Sequence, residues 1–292
     1  MVTNNRIVNN CGCTKECSSE KLLFEKNGYQ IYECEKCKVQ FSNLKDTKNH
    51  ITNVYSDDYF FGGGAGYPNY FEERKELYNS GIRYAHIISK YRVAGKVLDI
   101  GSAAGFYLKG FEKSGWECVG IEPNETVAEY GRKELNLNII TVDLQNFQTD
   151  EKFDVVNLVE VIGHFQDLSK AMLKVHDLVK KEGLVLVESW DHRSFVARFF
   201  GKKWHEYSPP SVTNWFSQNS LTELFNSNGF DLVTTGRPYK KIKGTHGLEI
   251  VYRNTPQFIF KTSLFNFLKF VIGKIIFPYP PLDLKWYIFK KR

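Results

Sequence analysis

The run Val97-Leu-Asp-Ile-Gly-Ser-Ala-Ala-Gly105 ends a short apolar segment on an acid, followed by two glycines four residues apart. Gly101 and Gly105 let the chain turn tightly and let its backbone, through Ser102 and Ala103, approach a ligand closely. A dinucleotide turn reads G-x-G-x-x-G and sets a pyrophosphate on a helix N-terminus. Here Ala103 occupies the second glycine position, and Asp99 precedes Gly101 by two residues. An acid there repels a pyrophosphate and suits a ligand that carries an ammonium and a sulfonium. Two further acids each follow an apolar segment. In V-G-I-E-P, Glu122 (before Pro123) can accept from both hydroxyls of a ribose. In T-V-D-L, Asp143 can accept from an adenine amino group while Leu144 packs beside the ring. Three acids, each ending a successive strand, describe a nucleoside pocket.

Proton-transfer candidates follow. His164 stands in V-V-N-L-V-E-V-I-G-H-F-Q-D, four residues past Glu160, where it is either a base or substrate contact or a helix-start residue. His192, with Asp191 beside it and Trp190 as a wall, is the second candidate; His205 reads as a surface residue. Five of the six cysteines lie in the first forty residues. Cys34-x-x-Cys37 is a knuckle suited to tetrahedral zinc. Its partner, C-G-C-T-K-E-C, is irregular. Cys13 and Cys17 with Cys34 and Cys37 form the favoured set, and a set using Cys11 stays open. Four thiolates leave no free coordination position, so the metal would be structural. The lone Cys118 reads as packing.

The elements that must position these groups alternate. Strands are expected at 97–100, 117–121, 139–142, 154–159, 184–188 and 230–234. Helices are expected at 71–91, 106–113, 126–135, 168–179 and 220–227. A seventh strand, 286–289, follows a Pro-rich turn and is expected at an edge. The pattern predicts an α/β fold with a seven-stranded, doubly wound sheet covered on both faces, and open sheets of this kind bind ligands beyond their strand C-termini. Ahead of it, knuckle, strand, turn, strand, knuckle reads as a zinc-ribbon-like module over 1–50. Residues 51–95 hold an aromatic, Gly-rich connector and a helix. The connector, 55–70, is either a lid over the pocket or a packed linker. The nucleoside-binding domain spans 96–236 and a basic amphipathic tail 237–292.

With these motifs the sequence resembles the class I S-adenosylmethionine-dependent methyltransferases over about 71–234. Within them it is similar to bacterial small-molecule enzymes akin to ubiquinone-biosynthesis O-methyltransferases. The resemblance includes Tyr55-Ser56-Asp57-Asp58-Tyr59-Phe60 and the segment after strand four. It implies a Rossmann-like fold, S-adenosylmethionine bound by Asp99, Gly101, Glu122 and Asp143, and methyl transfer to a hydroxyl. Two departures stand out. Gly163 replaces a glutamate that relatives carry before the histidine, and Val212 replaces a histidine of their P-P-x-H segment.

The net charge of +6 divides into +10 over 237–292 and −4 over the rest. A chain basic only at its tail is not built to wrap nucleic acid. No base-methylation N-P-P-Y-like motif follows strand four either. An RNA methyltransferase and a non-catalytic binding protein are the alternatives to a small-molecule or lipid-linked acceptor. The N-terminus lacks a secretory apolar run, and Leu264–Phe277 is cut by polar residues, so the expected compartment is the cytoplasm. The helical tail has a wide apolar face. It packs on the sheet or touches anionic lipid at the inner membrane surface.

Overall fold

The computed structural model describes residues 19–44, 50–62, 70–243, 248, 262–272, 276–279 and 282–292. Strands β1 (Glu20–Lys26) and β2 (Tyr29–Cys34) pair antiparallel across Asn27-Gly28. Both turn residues have positive φ, 52° and 78°, the backbone that a tight two-residue hairpin requires. Strand β3 (Gln40–Ser42) follows, then helices α1 (His50–Val54), α2 (Asp57–Phe61) and α3 (Arg74–Ile88).

The alternating stretch comes next: β4 (Lys96–Ile100), α4 (Phe106–Lys113), β5 (Glu117–Glu122), α5 (Glu125–Leu135), β6 (Asn138–Thr141) and β7 (Phe153–Val159). It continues through α6 (Leu168–Leu178), β8 (Val179–Trp190), α7 (Phe195–Phe200), β9 (Asn214–Trp215), α8 (Gln218–Ser227) and β10 (Phe230–Gly236). Short strands β11 (Lys240–Lys243) and β12 (Ile276–Tyr279) pair antiparallel around a segment that contains α9 (Thr262–Ile272). Strand β13 (Leu284–Lys291) closes the chain.

The main sheet runs β10-β13-β8-β7-β4-β5-β6. Its β6, β5, β4, β7 and β8 are parallel. The chain moves outward from β4 to β6, then returns to β7 on the other side of β4. That reversal opens a crevice beyond the strand ends. Apolar clusters cover both faces, one holding Leu98, Val156, Leu221 and Phe289, the other Val97, Val155, Leu186 and Ile288. The architecture is Rossmann-like.

Two expectations change. The last strand is not at an edge: β13 lies between β8 and β10, antiparallel to both. Tyr287, Ile288 and Phe289 are buried on alternating faces. Such a run is satisfied inside a sheet, and position near the chain end does not decide strand order. Nor does the N-terminal segment stand apart. Gln40 and Phe41 of β3 pair with Trp215 and Asn214 of β9, making a four-stranded sheet β1-β2-β3-β9. Residues up to Gly236, together with Asp283–Arg292, form one compact unit and Arg237–Leu282 a second. Strand β13 thus belongs to the first unit and not to the segment that begins at Arg237. Among the described residues, no helix is long and apolar enough to cross a membrane.

Candidate active site

Strand β4 delivers Asp99, buried, and the chain then turns through Gly101 (φ 69°), Ala103 (φ 47°) and Gly105 (φ 79°) into α4. Left-handed backbone at a non-glycine is strained and persists only when its surroundings hold it. Here Glu122 holds it: the Ala103 N–H donates to Glu122 Oε2 at 2.9 Å. The Asn124 N–H donates to Glu122 Oε1, also at 2.9 Å. One carboxylate thus ties the turn after β4 to the turn after β5. Each of its oxygens keeps a further lone pair for a ligand.

Burial pushes Glu122 up to about 7, against the pull of its two backbone donors. It also pushes Asp99 up to about 7; the neighbouring Asn157 opposes that rise and the Glu122 charge adds to it. Ser102 Oγ is buried without a protein partner among the described residues.

Asp143 follows β6. Its carboxylate caps the next turn, accepting from Asn146 N at 2.9 Å and Nδ2 at 2.6 Å, beside buried Leu144. After β7, Glu160 adopts φ 55° and its N–H donates to the Glu188 carbonyl at 3.0 Å. A 3-10 turn, Ile162–His164, then presents His164. The His164 Nδ1 lies 2.8 Å from the Ser211 carbonyl and 2.9 Å from the Tyr55 hydroxyl. Burial lowers its pKa, outweighing the Ser211 and Glu160 carbonyls and the Glu160 charge, all of which favour the charged ring.

These groups meet in one cavity, with about 1200 Å³ between its walls, open mouth included. Asp99, Gly101, Ser102, Ala103, Glu122, Pro123, Asp143, Leu144, Glu160 and His164 all line it. Gly105 does not; it acts as the N-cap hinge of α4, and a Cβ there would meet Leu137 at 2.6 Å. His192, expected as a catalytic candidate, is outside this lining. Its N–H donates to the Phe216 carbonyl and that of Asp191 to the Asp283 carbonyl. Burial lowers the His192 pKa, and the charges acting on it include Asp191 and Glu33 of the N-terminal sheet. Trp190 packs in the cluster around Trp204 and is not a cavity wall.

The connector, open in the sequence between a lid and a packed linker, contributes to the cavity wall. Tyr55, Tyr59, Phe60 and Tyr70 line the cavity. Residues 63–69, most of the glycine run, lie outside the described residues. Asn124 Nδ2 donates to the Tyr55 carbonyl and to Asp57 Oδ1, both at 3.0 Å. Thr126 Oγ1 donates to Asp57 Oδ2 at 3.1 Å. Asn124 is also the N-cap of α5, its Oδ1 accepting from the Val127 N–H at 3.0 Å. Gly163 and Val212 adjoin: a Cβ on Gly163 would stand 3.3 Å from Val212 Cγ1.

At the knuckle, the Cys37 N–H points to Cys34 Sγ at 3.4 Å, and Lys38 takes φ 59°. Cys11, Cys13 and Cys17 lie outside the described residues. Among those described, no group of three or more His, Cys, Asp or Glu side chains could hold a metal.

A family model described as a methyltransferase domain matches residues 70–235. The ubiquinone biosynthesis O-methyltransferase of Bartonella tribocorum is 24% identical over 150 residues, covering 44% of this chain and 61% of that protein. The (S)-coclaurine N-methyltransferase of Papaver somniferum is 26% identical over 131 residues, covering 41% and 34%. The chain thus spans less than two thirds of the length of these curated relatives. The solved structure of magnesium protoporphyrin IX methyltransferase from Synechocystis PCC 6803 aligns with a TM-score of 0.53 at 12% identity, covering 82% of this chain and all of that one. This last likeness concerns the fold.

Proposed function

The chain belongs to the methyltransferase-domain family, and on that premise we propose that it transfers the methyl group of S-adenosylmethionine to a small-molecule or lipid-linked acceptor, at a hydroxyl. The observation that carries this reading is the meeting of Asp99, Glu122 and Asp143, from three successive strand ends, in one cavity with His164. The donor set suits the group. Two buried acids favour a cationic ligand over a phosphate, and the positive-φ turn at 101–105 brings backbone to the wall.

In this reading Asp99 receives the ammonium, Glu122 the ribose hydroxyls and Asp143 the adenine amine, beside Leu144. When bound, S-adenosylmethionine supplies a methyl group on a sulfonium, whose departure needs no acid. The chain has two tasks left, alignment and proton removal. The aromatic walls at Tyr55, Tyr59 and Tyr70 exclude water and orient the acceptor. A neutral His164 takes the acceptor proton. Calorimetry with S-adenosylhomocysteine tests the pocket: micromolar binding that is lost in Asp99→Asn and Glu122→Gln is expected, and wild-type protein that fails to bind removes the proposal.

Two further parts go with it. Cys34 and Cys37, with Cys13 and Cys17, hold a structural zinc; the knuckle geometry supports the first pair. The protein works in the cytoplasm, where the basic tail touches anionic lipid. The exposure of Phe267, Phe270 and Val271 on α9, around Lys269, supports that contact.

A further inference from the structure

Helix α7 carries the sequence F-V-A-R-F-F and is followed by a 3-10 turn, Gly201–Lys203. It is fastened from beneath. Ala197 is buried among Trp204, Trp215 and Ile31, with Val196 packed alongside. The Ser194 side chain caps its first turn by accepting from the Ala197 N–H at 3.0 Å. The outer side is different. Phe195 is 69% exposed, Phe199 73% and Phe200 36%. Their rings touch mainly each other, with Phe195 and Phe199 stacked at 6.1 Å and Phe199 and Phe200 edge-to-face at 5.2 Å. Side chains this exposed project from a surface and do not line a groove. A helix that leaves three phenylalanines in solvent presents an apolar patch of the kind that marks an interaction surface.

Charge identifies the medium. Arg193, Arg198, Lys202 and Lys203, interleaved with and flanking these rings in the sequence, are all exposed. No acid occurs between His192 and His205. Lys26 joins them, its Nζ donating to the Lys202 carbonyl at 3.2 Å; Glu25 beside it is the nearby exposed acid in sequence. Projecting aromatics ringed by cations match the boundary between headgroups and acyl chains of an anionic bilayer.

We propose that α7 and the turn after it form a docking surface for an anionic lipid bilayer, separate from the tail. The full chain is tested by co-sedimentation with vesicles of phosphatidylcholine alone and of equal phosphatidylcholine and phosphatidylglycerol, a readout that needs no methyl transfer. Wild-type protein should partition onto the mixed vesicles and release with salt. Phe195→Ser with Phe199→Ser should lower that partition at least tenfold. Replacing Arg193, Arg198, Lys202 and Lys203 by glutamine should abolish the preference for the anionic vesicle. Both variants should keep the wild-type circular dichroism and melting temperature, since no altered side chain is buried. Three outcomes overturn the proposal. Wild-type protein may stay in the supernatant. The phenylalanine variant may bind as wild type does, which assigns lipid contact to the tail. Or that variant may change only the mass in light scattering, which assigns the surface to a second copy of the chain.

Discussion

The Tyr55 hydroxyl lies 2.9 Å from Nδ1 of His164, and both groups reach the carbonyl oxygen of Ser211 at 2.9 and 2.8 Å. A carbonyl only accepts, so the tyrosine O–H and the imidazole Nδ1–H both donate to it. The neutral ring then carries its lone pair on Nε2. Three segments distant in the chain, the connector, the turn after β7 and the loop before β9, fix the ring that the proposed chemistry needs.

Tyr55→Phe should therefore loosen the Ser211 carbonyl that holds His164, and the ring through it, without touching the cofactor acids. A neutral hydrogen bond contributes about 1 kcal/mol, so turnover should fall roughly five- to tenfold with the dissociation constant for S-adenosylmethionine unchanged. Transfer of labelled methyl into cell-extract fractions, beside calorimetry, separates the two.

Burial holds His164 below its ordinary imidazole value, so the ring is neutral and competent at pH 7. Turnover should fall only as pH drops through that lowered value, on a limb below about 6.5. His164→Ala should erase the limb and slow turnover about 10²-fold or more, with cofactor affinity intact. A limb that survives the substitution assigns the base elsewhere.

Asp99 and Glu122 sit at about 7 without ligand. Their folded values lie above the unfolded ones, so they contribute stability that is complete below about pH 4 and lost as pH rises through about 7. The melting temperature of ligand-free protein should drop across that window. A cationic ligand favours the ionised acids, so its binding at pH 6 should release protons and weaken as pH falls. Calorimetry in buffers of differing ionisation enthalpy counts those protons. Asp99→Asn should cost at least about tenfold in affinity.

Helices α3 and α4 cross at two glycines. A Cβ on Gly81 would meet the Tyr107 carbonyl oxygen at 2.1 Å, and one on Gly110 would meet the Tyr78 oxygen at 2.5 Å. Neither backbone can yield without parting the helices. Gly81→Ala should destabilise by about 1–3 kcal/mol, a fall of several degrees in melting temperature. An unchanged melt would show that the helices separate freely.

Protein purified under reducing conditions should contain about one zinc per chain, the number a four-thiolate site holds. Cys34→Ser should lose it. Because β3 pairs with β9, that loss should also lower the melting temperature of the main unit. Metal analysis that finds no zinc ends this part of the proposal.

The sequence by itself determined the β-α alternation and the strand-end acids, because both are local. An apolar run closing on an acid reads the same whatever lies beside it, and so Asp99, Glu122 and Asp143 were legible. So was His164, four residues past Glu160. Tertiary structure alone decided which distant segments meet. It set β13 inside the sheet, bonded the His192 N–H to the Phe216 carbonyl outside the cavity lining, and brought Tyr55 to the pocket, held there by Asn124 and Ser211. It also set Gly163 beside Val212, so two positions far apart in the chain are one place in space. Periodicity reports which face of an element is apolar; it carries no term for the long-range closure that chooses the element's neighbour.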